Sequence, residues 1–459
     1  MTRALPEPVA DWEASVFTFL ETSPPERVLD HGGRTVADVL AATVAGSAAP
    51  PYCETWTAVD LPPGTATVLG TDRTTAPAQA ASLNGTAAIV QEVEEGHNTG
   101  GHVGSGIVTG GLAMAETADA SGARFVKACV KAYEVCARLE EAIFRMKARI
   151  NDAVPWLVRN PHATWTVVGP ALAGVLAAGG DEAAVREAFR LAANRAVVSM
   201  DDPYAAGPPS RNLTAGASAA VGVLLAQQAL AGMTGSESAV RAVYDPFDED
   251  EPGWLTDRFA DLGVRWEVTY NYFKPYPSCR YTHPPLDALR DISLPTSVAP
   301  DDVDRIVVET YANAVDMARR NPETLTGAKF SIPYVLARYL RSGEVTLEHF
   351  DPERIAEPSV RALADRVEVR VDDEFEVSFP DDWGARVTVE LTDGRRHSAK
   401  RAYPRGDFRD PVDDEAFDER LQALLAWGLP ESRVDGGFHA LTNIRGRSAR
   451  SVAAALASR

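Results

Sequence analysis

ARVTVELTDGRRHSAKRA, residues 385–402, alternates apolar and polar side chains on either side of Asp393-Gly394. Alternation turns one face of a strand inward, and Asp-Gly supplies the positive φ of a tight hairpin, so the stretch reads as two antiparallel strands. Working outward, RVEVRV from Arg366, RIVVETYA from Arg305 and WEVTYNYF from Trp266 read as further strands, being rich in β-branched and aromatic residues. Phe330 to Tyr339 between them has a helical rhythm, so this part of the chain is α+β. Upstream the rhythm is helical from Asp11 to about Met233, in Ala-rich segments such as Ala123 to Ile150, Asp181 to Ser199 and Ala215 to Ala231. After Pro411, DDEAFDERLQALLAWG returns to helix behind an acidic first turn. The closing helices are too few for a core of their own and should rejoin the first. The expected fold is mainly α with an α+β second domain: a discontinuous helical domain from residues 1–265 and 406–459, and a smaller α+β lid from residues 266–405.

A chain of 459 residues exceeds the roughly 250–300 over which one core keeps growing, which agrees with two domains. Acidic residues number 65 against 45 basic ones, a formal charge of -20 that repels phosphate backbones and anionic membranes. No nucleic-acid or membrane partner is expected. An anionic substrate would need a local basic cluster working against that global field. Lysine occurs only at 127, 131, 147, 274, 329 and 400, and acidic excess with scarce lysine suggests salt adaptation. The four cysteines, at 53, 129, 136 and 279, form no disulfide framework. With no apolar stretch after the N-terminal Arg3, a cytoplasmic location is expected. The apolar run Thr214 to Met233 is broken by Gly216, Gly222, Gln227 and Gln228, which suits a buried core helix better than a membrane span.

Two segments carry chemistry. LNGTAAIVQEVEEGHNTGGHVGSG, residues 83–106, holds Glu92, Glu94, Glu95, His97 and His102 ahead of a glycine-rich stretch. By itself this is equally an acidic helix end with a loop behind it. Carboxylate and imidazole are metal ligands, but no second pair at fixed spacing supports a metal site, and none is expected. FKPYPSCRYTHPPLDAL, residues 273–289, gathers Lys274, Cys279, Arg280 and His283 among prolines that stiffen the loop, as an anion site would require. A solvated connector between domains is the plainer alternative. His162 and Arg211 each precede an apolar helix, where a cap and a surface charge are the default readings.

In this order the segments resemble the MmgE/PrpD family, which includes 2-methylcitrate dehydratase, cis-aconitate decarboxylase and iminodisuccinate epimerase. The resemblance runs through Asn84-Gly85, Glu92 to Glu95, His102, Ala115-Glu116, Tyr133-Glu134, His162, Arg211, Phe273 to Cys279, His283 and Ser331 to Tyr334. Glu92 stands where the family usually has Asp, Glu94-Glu95 where it has an Asp pair, and Val103 where Pro is common. A longer carboxylate bears on substrate geometry more than on fold.

The resemblance implies a homodimer with the active site between helical body and lid, a small carboxylate as substrate, and no cofactor. It also implies catalytic roles for Glu92, His102, His162, Lys274 and Tyr334, and substrate contact for Arg211. The basic loop adds Cys279, Arg280 and His283 as substrate-binding candidates, and the acidic segment adds His97. Arg211 and Lys274 would neutralise carboxylates, while His102 and His162 would act as base and acid, Tyr334 as auxiliary donor and Glu92 as the group orienting an imidazole. The expected reaction is proton removal next to a carboxylate by a 2-methylcitrate dehydratase-like lyase. Epimerisation, decarboxylation, a metal-dependent hydro-lyase and a non-catalytic polycarboxylate-binding protein are the alternatives.

Overall fold

The computed structural model describes residues 11–50, 52–98, 101–153, 159–160, 167–193, 199–200, 207, 209–237, 254–292, 294 and 299–458. The helices that position the site are α1 (Glu26–Ser47), α2 (Pro77–Val90), α3 (Val103–Thr117), α4 (Gly122–Ala153), α5 (Val168–Ala177), α6 (Leu213–Leu230), α7 (His283–Asp291), α8 (Ile332–Ser342) and α9 (Asp414–Gly428). One core runs from Val16 to Phe273 and resumes from Phe417 to Leu456, and a second runs from Tyr276 to Leu391. The protein is mainly α with an α+β part, as the alternation of sequence rhythms requires.

Small residues let the helices of the first core approach closely. A Cβ on Gly85 of α2 would lie 3.0 Å from the Ala215 carbonyl oxygen and the Gly216 Cα of α6. That crossing accounts for the Ala/Gly character of α6. The segment Pro209–Leu230 is long and apolar enough to cross a membrane by composition, and half of its most apolar window is buried inside the protein.

The second core is built on a four-stranded sheet of β1 (Val303–Thr310), β2 (Val367–Val371), β3 (Ala385–Leu391) and β4 (Arg396–Arg401), ordered β4-β3-β1-β2. β1 pairs parallel with β2, Ile306 opposite Val367, and antiparallel with β3, Val308 opposite Val387. Alternation along β3 buries Ala385, Val387, Val389 and Leu391 on one face. The hairpin to β4 turns at Gly394, whose φ is +85°.

WEVTYNYF departs from its reading as a strand. Glu267–Tyr270 is a 3-10 turn, and only Asn271–Tyr272 is extended, paired with Gly96–His97. Glu134 on α4 explains this, because its carboxylate accepts from the backbone N–H of Glu267 at 2.8 Å and of Val268 at 2.9 Å, donors a ladder would need. Trp266, Val268 and Phe273 pack in the helical core, and Tyr276 is the first residue of the second.

Candidate active site

The last turn of α2 delivers Glu92 in an unusual conformation. After Gln91 the chain enters the left-handed region at Glu92, φ +51°, which a non-glycine residue adopts only when its surroundings compensate. Here they do so from both cores. Lys329 Nζ donates to the Gln91 carbonyl at 2.9 Å, and Arg420 of α9 donates to the carbonyl of Val93. The loop then supplies Glu94 and Glu95 before α3 begins, and His102 stands at the N-cap of α3.

Arg211 and Lys274, distant in sequence, converge with His102 on this turn. Glu92 Oε1 accepts from Arg211 Nη1 at 2.6 Å, and Oε2 accepts from Lys274 Nζ at 3.0 Å. His102 Nε2 lies 3.0 Å from Arg211 Nη2 and 3.9 Å from Glu92 Oε2, while its Nδ1 meets Glu94. Glu94 Oε2 is 3.7 Å from Lys274 Nζ. Two carboxylates and two cations therefore balance around one imidazole. Arginine only donates, so Nε2 is the acceptor and Nδ1 carries the proton toward Glu94.

Each cation is held from behind. Arg211 lies on the 3-10 turn Pro209–Asn212, which Tyr52 fixes by donating to the Pro209 carbonyl at 2.7 Å and accepting from Asn212 Nδ2 at 2.6 Å. Its guanidinium also faces the Phe330 ring at 5.1 Å. Lys274 follows Phe273, whose N–H donates to the Gly406 carbonyl at 3.0 Å. A Cβ on Gly406 would come within 1.9 Å of the Phe273 carbonyl oxygen, so this approach of the returning chain needs glycine. Arg420 completes the support. It donates to the Lys274 carbonyl at 2.7 Å and pairs with buried Asp38 of α1, whose other oxygen accepts the Glu95 N–H at 2.7 Å.

Burial and charge compete in these groups. Burial opposes ionisation of Glu92, but Arg211, Lys274 and His102 more than offset it and hold the carboxyl well below its ordinary range. Glu94 is likewise lowered, by Lys274 and His102 acting against burial. Burial disfavours the Lys274 ammonium, yet Glu92 and Glu94 raise it above the usual lysine value. Lys274 is 0% exposed and Glu92 2%, whereas Arg211 is 9% and His102 14% exposed, so the imidazole and guanidinium form the open side.

The other expected site residues are placed differently. His162 lies outside the described residues. The role of orienting an imidazole, expected of Glu92, falls geometrically to Glu94, because Glu92 is occupied by the two cations. Cys279 adjoins the cluster, with burial pushing its thiol up to about 12. Arg280 pairs instead with Asp407 at 2.8 Å and stacks 3.9 Å over Tyr272, leaving Nε and Nη1 without partners. His283 is wholly buried, its Nε2 3.1 Å from the Ser278 carbonyl oxygen. Burial and the charges of Arg280 and Lys274 hold it well below the usual histidine value, so it is neutral and offers an anion no charge. His97 is engaged by Glu267 at 3.1 Å and packs edge-on against Tyr133. Tyr334 belongs to the second core, where its hydroxyl donates to the His349 carbonyl, so it is no donor to the cluster in this arrangement.

Glu94, Lys329, Asp38 and Arg420 are the contributors that sequence reading did not single out for these roles. Glu92, Glu94 and His102 also place one ligand atom each within 4.8 Å of one another, a spacing open to a metal ion. Each Glu92 oxygen already accepts from a cation, so a metal there would compete with Arg211 and Lys274.

A cis-aconitate decarboxylase-like protein of Aspergillus oryzae, oryM, is 25% identical over 451 residues, covering 89% of each chain. The cis-aconitate decarboxylase of Homo sapiens is 23% identical over 368 residues, covering 78% of this chain and 75% of its own. Residues 16–247 match the MmgE/PrpD N-terminal domain and residues 276–439 the MmgE/PrpD C-terminal domain, nearly the whole chain, and the protein therefore belongs to the MmgE/PrpD family of lyase-type enzymes.

Proposed function

We propose that the protein is a lyase that moves a proton at a carbon next to a carboxylate of a small polycarboxylic acid, with no cofactor. The convergence of Arg211, Lys274 and His102 on Glu92 carries this reading. A substrate carboxylate entering from the open side takes over donors of Arg211, which releases the lone pair of His102 Nε2 toward the substrate carbon. Glu94 stabilises the imidazolium that forms, and Lys274 and Arg211 oppose the negative charge that develops on the carboxylate.

Two relatives bear the name of cis-aconitate decarboxylase or of a protein like it, and this favours carbon–carbon cleavage over dehydration. In that reaction the freed Nε2 takes a proton from solvent, and the imidazolium so formed gives it to the alkene carbon. The electron pair of the broken carbon–carbon bond becomes the new double bond as carbon dioxide leaves. Dehydration would instead remove the proton from the carbon and expel hydroxide, protonated to water.

Proton NMR in deuterated buffer separates these outcomes with cis-aconitate, citrate, 2-methylcitrate and iminodisuccinate as probes. The expected result is loss of carbon dioxide and entry of one deuterium into the product from cis-aconitate. Elimination or bare exchange would move the assignment within the same proton chemistry. Binding of these acids without conversion or exchange would overturn it in favour of a binding protein.

A further inference from the structure

Lys329 has the burial of a core residue and the neighbours of an active-site one. It ends the short helix Leu325–Lys329 of the second core and is 0% exposed. Its ammonium donates to the Gln91 carbonyl at 2.9 Å and the Pro277 carbonyl at 3.0 Å, and lies 4.1 Å from the centre of the Phe350 ring. The first carbonyl immediately precedes Glu92, and the second lies in the loop that carries Lys274. The backbone carbonyl of Lys329 also accepts the Cys279 N–H at 2.9 Å, so helix and loop are joined twice.

We propose that Lys329 is a positioning residue that holds the Glu92 and Lys274 loops in register and takes up a proton when an anionic substrate docks beside them. This rests on the anion-binding reading above. Two of the three protons of an ammonium are used by the two carbonyls, and a neutral amine has two protons, so the tie survives loss of the third. The charged groups acting on it are Glu92 and Glu94 from one loop, Lys274 from the other and Asp351 beside Phe350. Burial lowers the ammonium to about 7, with Glu92 opposing and Lys274 reinforcing that shift. A substrate carboxylate adds negative charge to this set and favours the protonated form. Held between two carbonyls, the side chain answers by gaining a proton rather than by moving.

The chain has six lysines, at 127, 131, 147, 274, 329 and 400, so NMR of protein labelled at the lysine Cε and Nζ can follow each one, with arginine variants giving the assignments. In the ligand-free protein, Glu92→Gln should lower the Lys329 midpoint, since it removes the largest opposing charge. No movement would overturn the inference whatever the substrate is. Saturating cis-aconitate should raise the midpoint by about one unit or more. Isothermal titration in buffers of different ionisation enthalpy should then show proton uptake near neutral pH that falls in Lys329→Arg, which keeps the tie but cannot lose its proton. Equal uptake in the two proteins would contradict the proposal. Lys329→Met should lose both the uptake and affinity for the anion, and should it fail to fold, the arginine variant still decides. If the wild-type protein binds none of the four acids, the proposed function fails, and the ligand-free titration still judges the Lys329–Glu92 coupling.

Discussion

Glu94 and Glu95 are neighbours in sequence and equally buried, yet their carboxyl groups are driven in opposite directions. Glu94 faces the Lys274 ammonium and the His102 imidazole, which outweigh burial and hold it ionised. Glu95 faces neutral donors: the Tyr133 hydroxyl at 3.0 Å, the Gly104 N–H at 2.7 Å and Asn271 Nδ2 at 3.1 Å. Burial pushes it up to about 8 against these hydrogen bonds. Behind it Glu134 is likewise raised by burial to about 8, and Glu140, with neither oxygen partnered, is raised well above the ordinary carboxylate range. One short loop thus divides an ionised site from a protonated scaffold. The charge of the partner decides the side, and depth does not.

The largest expected effect comes from removing the cation that serves both site carboxylates. Lys274→Met should destabilise the fold by about 3–5 kcal/mol in urea unfolding at pH 8, because it leaves buried carboxylates short of a partner. The loss should shrink at about pH 5, where protonation relieves them. A loss independent of pH would mean that Glu92 and Glu94 are not ionised as a pair. Next in size is His102→Asn, which should slow proton transfer by about 10²–10⁴-fold while leaving the urea midpoint nearly unchanged. Retained activity would move the base elsewhere.

Glu140→Gln tests the other side of the comparison. A carboxyl whose folded value is raised contributes fully below its unfolded value, about 4.5, and loses that contribution as pH rises toward the folded value. The variant should therefore match wild type at about pH 4 and be more stable by about 1–3 kcal/mol at about pH 8. A constant difference would show that Glu140 does not titrate between them. The smallest effect belongs to Tyr334→Phe. Losing one hydroxyl bonded to a carbonyl should cost about 1 kcal/mol of stability and less than about tenfold in rate. A collapse of rate with stability intact would restore Tyr334 as a donor to substrate.

The parts of the fold legible in sequence are those with local causes. Asp393-Gly394 dictates its own hairpin, and the Ala/Gly run of α6 announces close helix packing. WEVTYNYF was misleading because Glu134, some 130 positions earlier, captures the backbone donors that a strand would have used. Glu92, His102, Arg211 and Lys274 were legible through the order of their motifs. Arg420 was not, since DERLQALLAWG looks like an ordinary amphipathic helix and two of its acceptors are backbone carbonyls, which leave no trace in residue identity. Lys329 escaped for the same reason. Glu94 escaped because three glutamates in four positions cannot be ranked until the direction of each side chain is known.

Calorimetric titration of cis-aconitate into wild-type protein and Arg211→Met tests the central claim most directly, because Arg211 is the cation on the open side and Lys274 remains to neutralise Glu92. The expected result is binding to wild type that weakens at least about tenfold in the variant, roughly 1.4 kcal/mol, with partial recovery in Arg211→Lys. Equal affinity of wild type and Arg211→Met would contradict a polycarboxylate site built on this cluster.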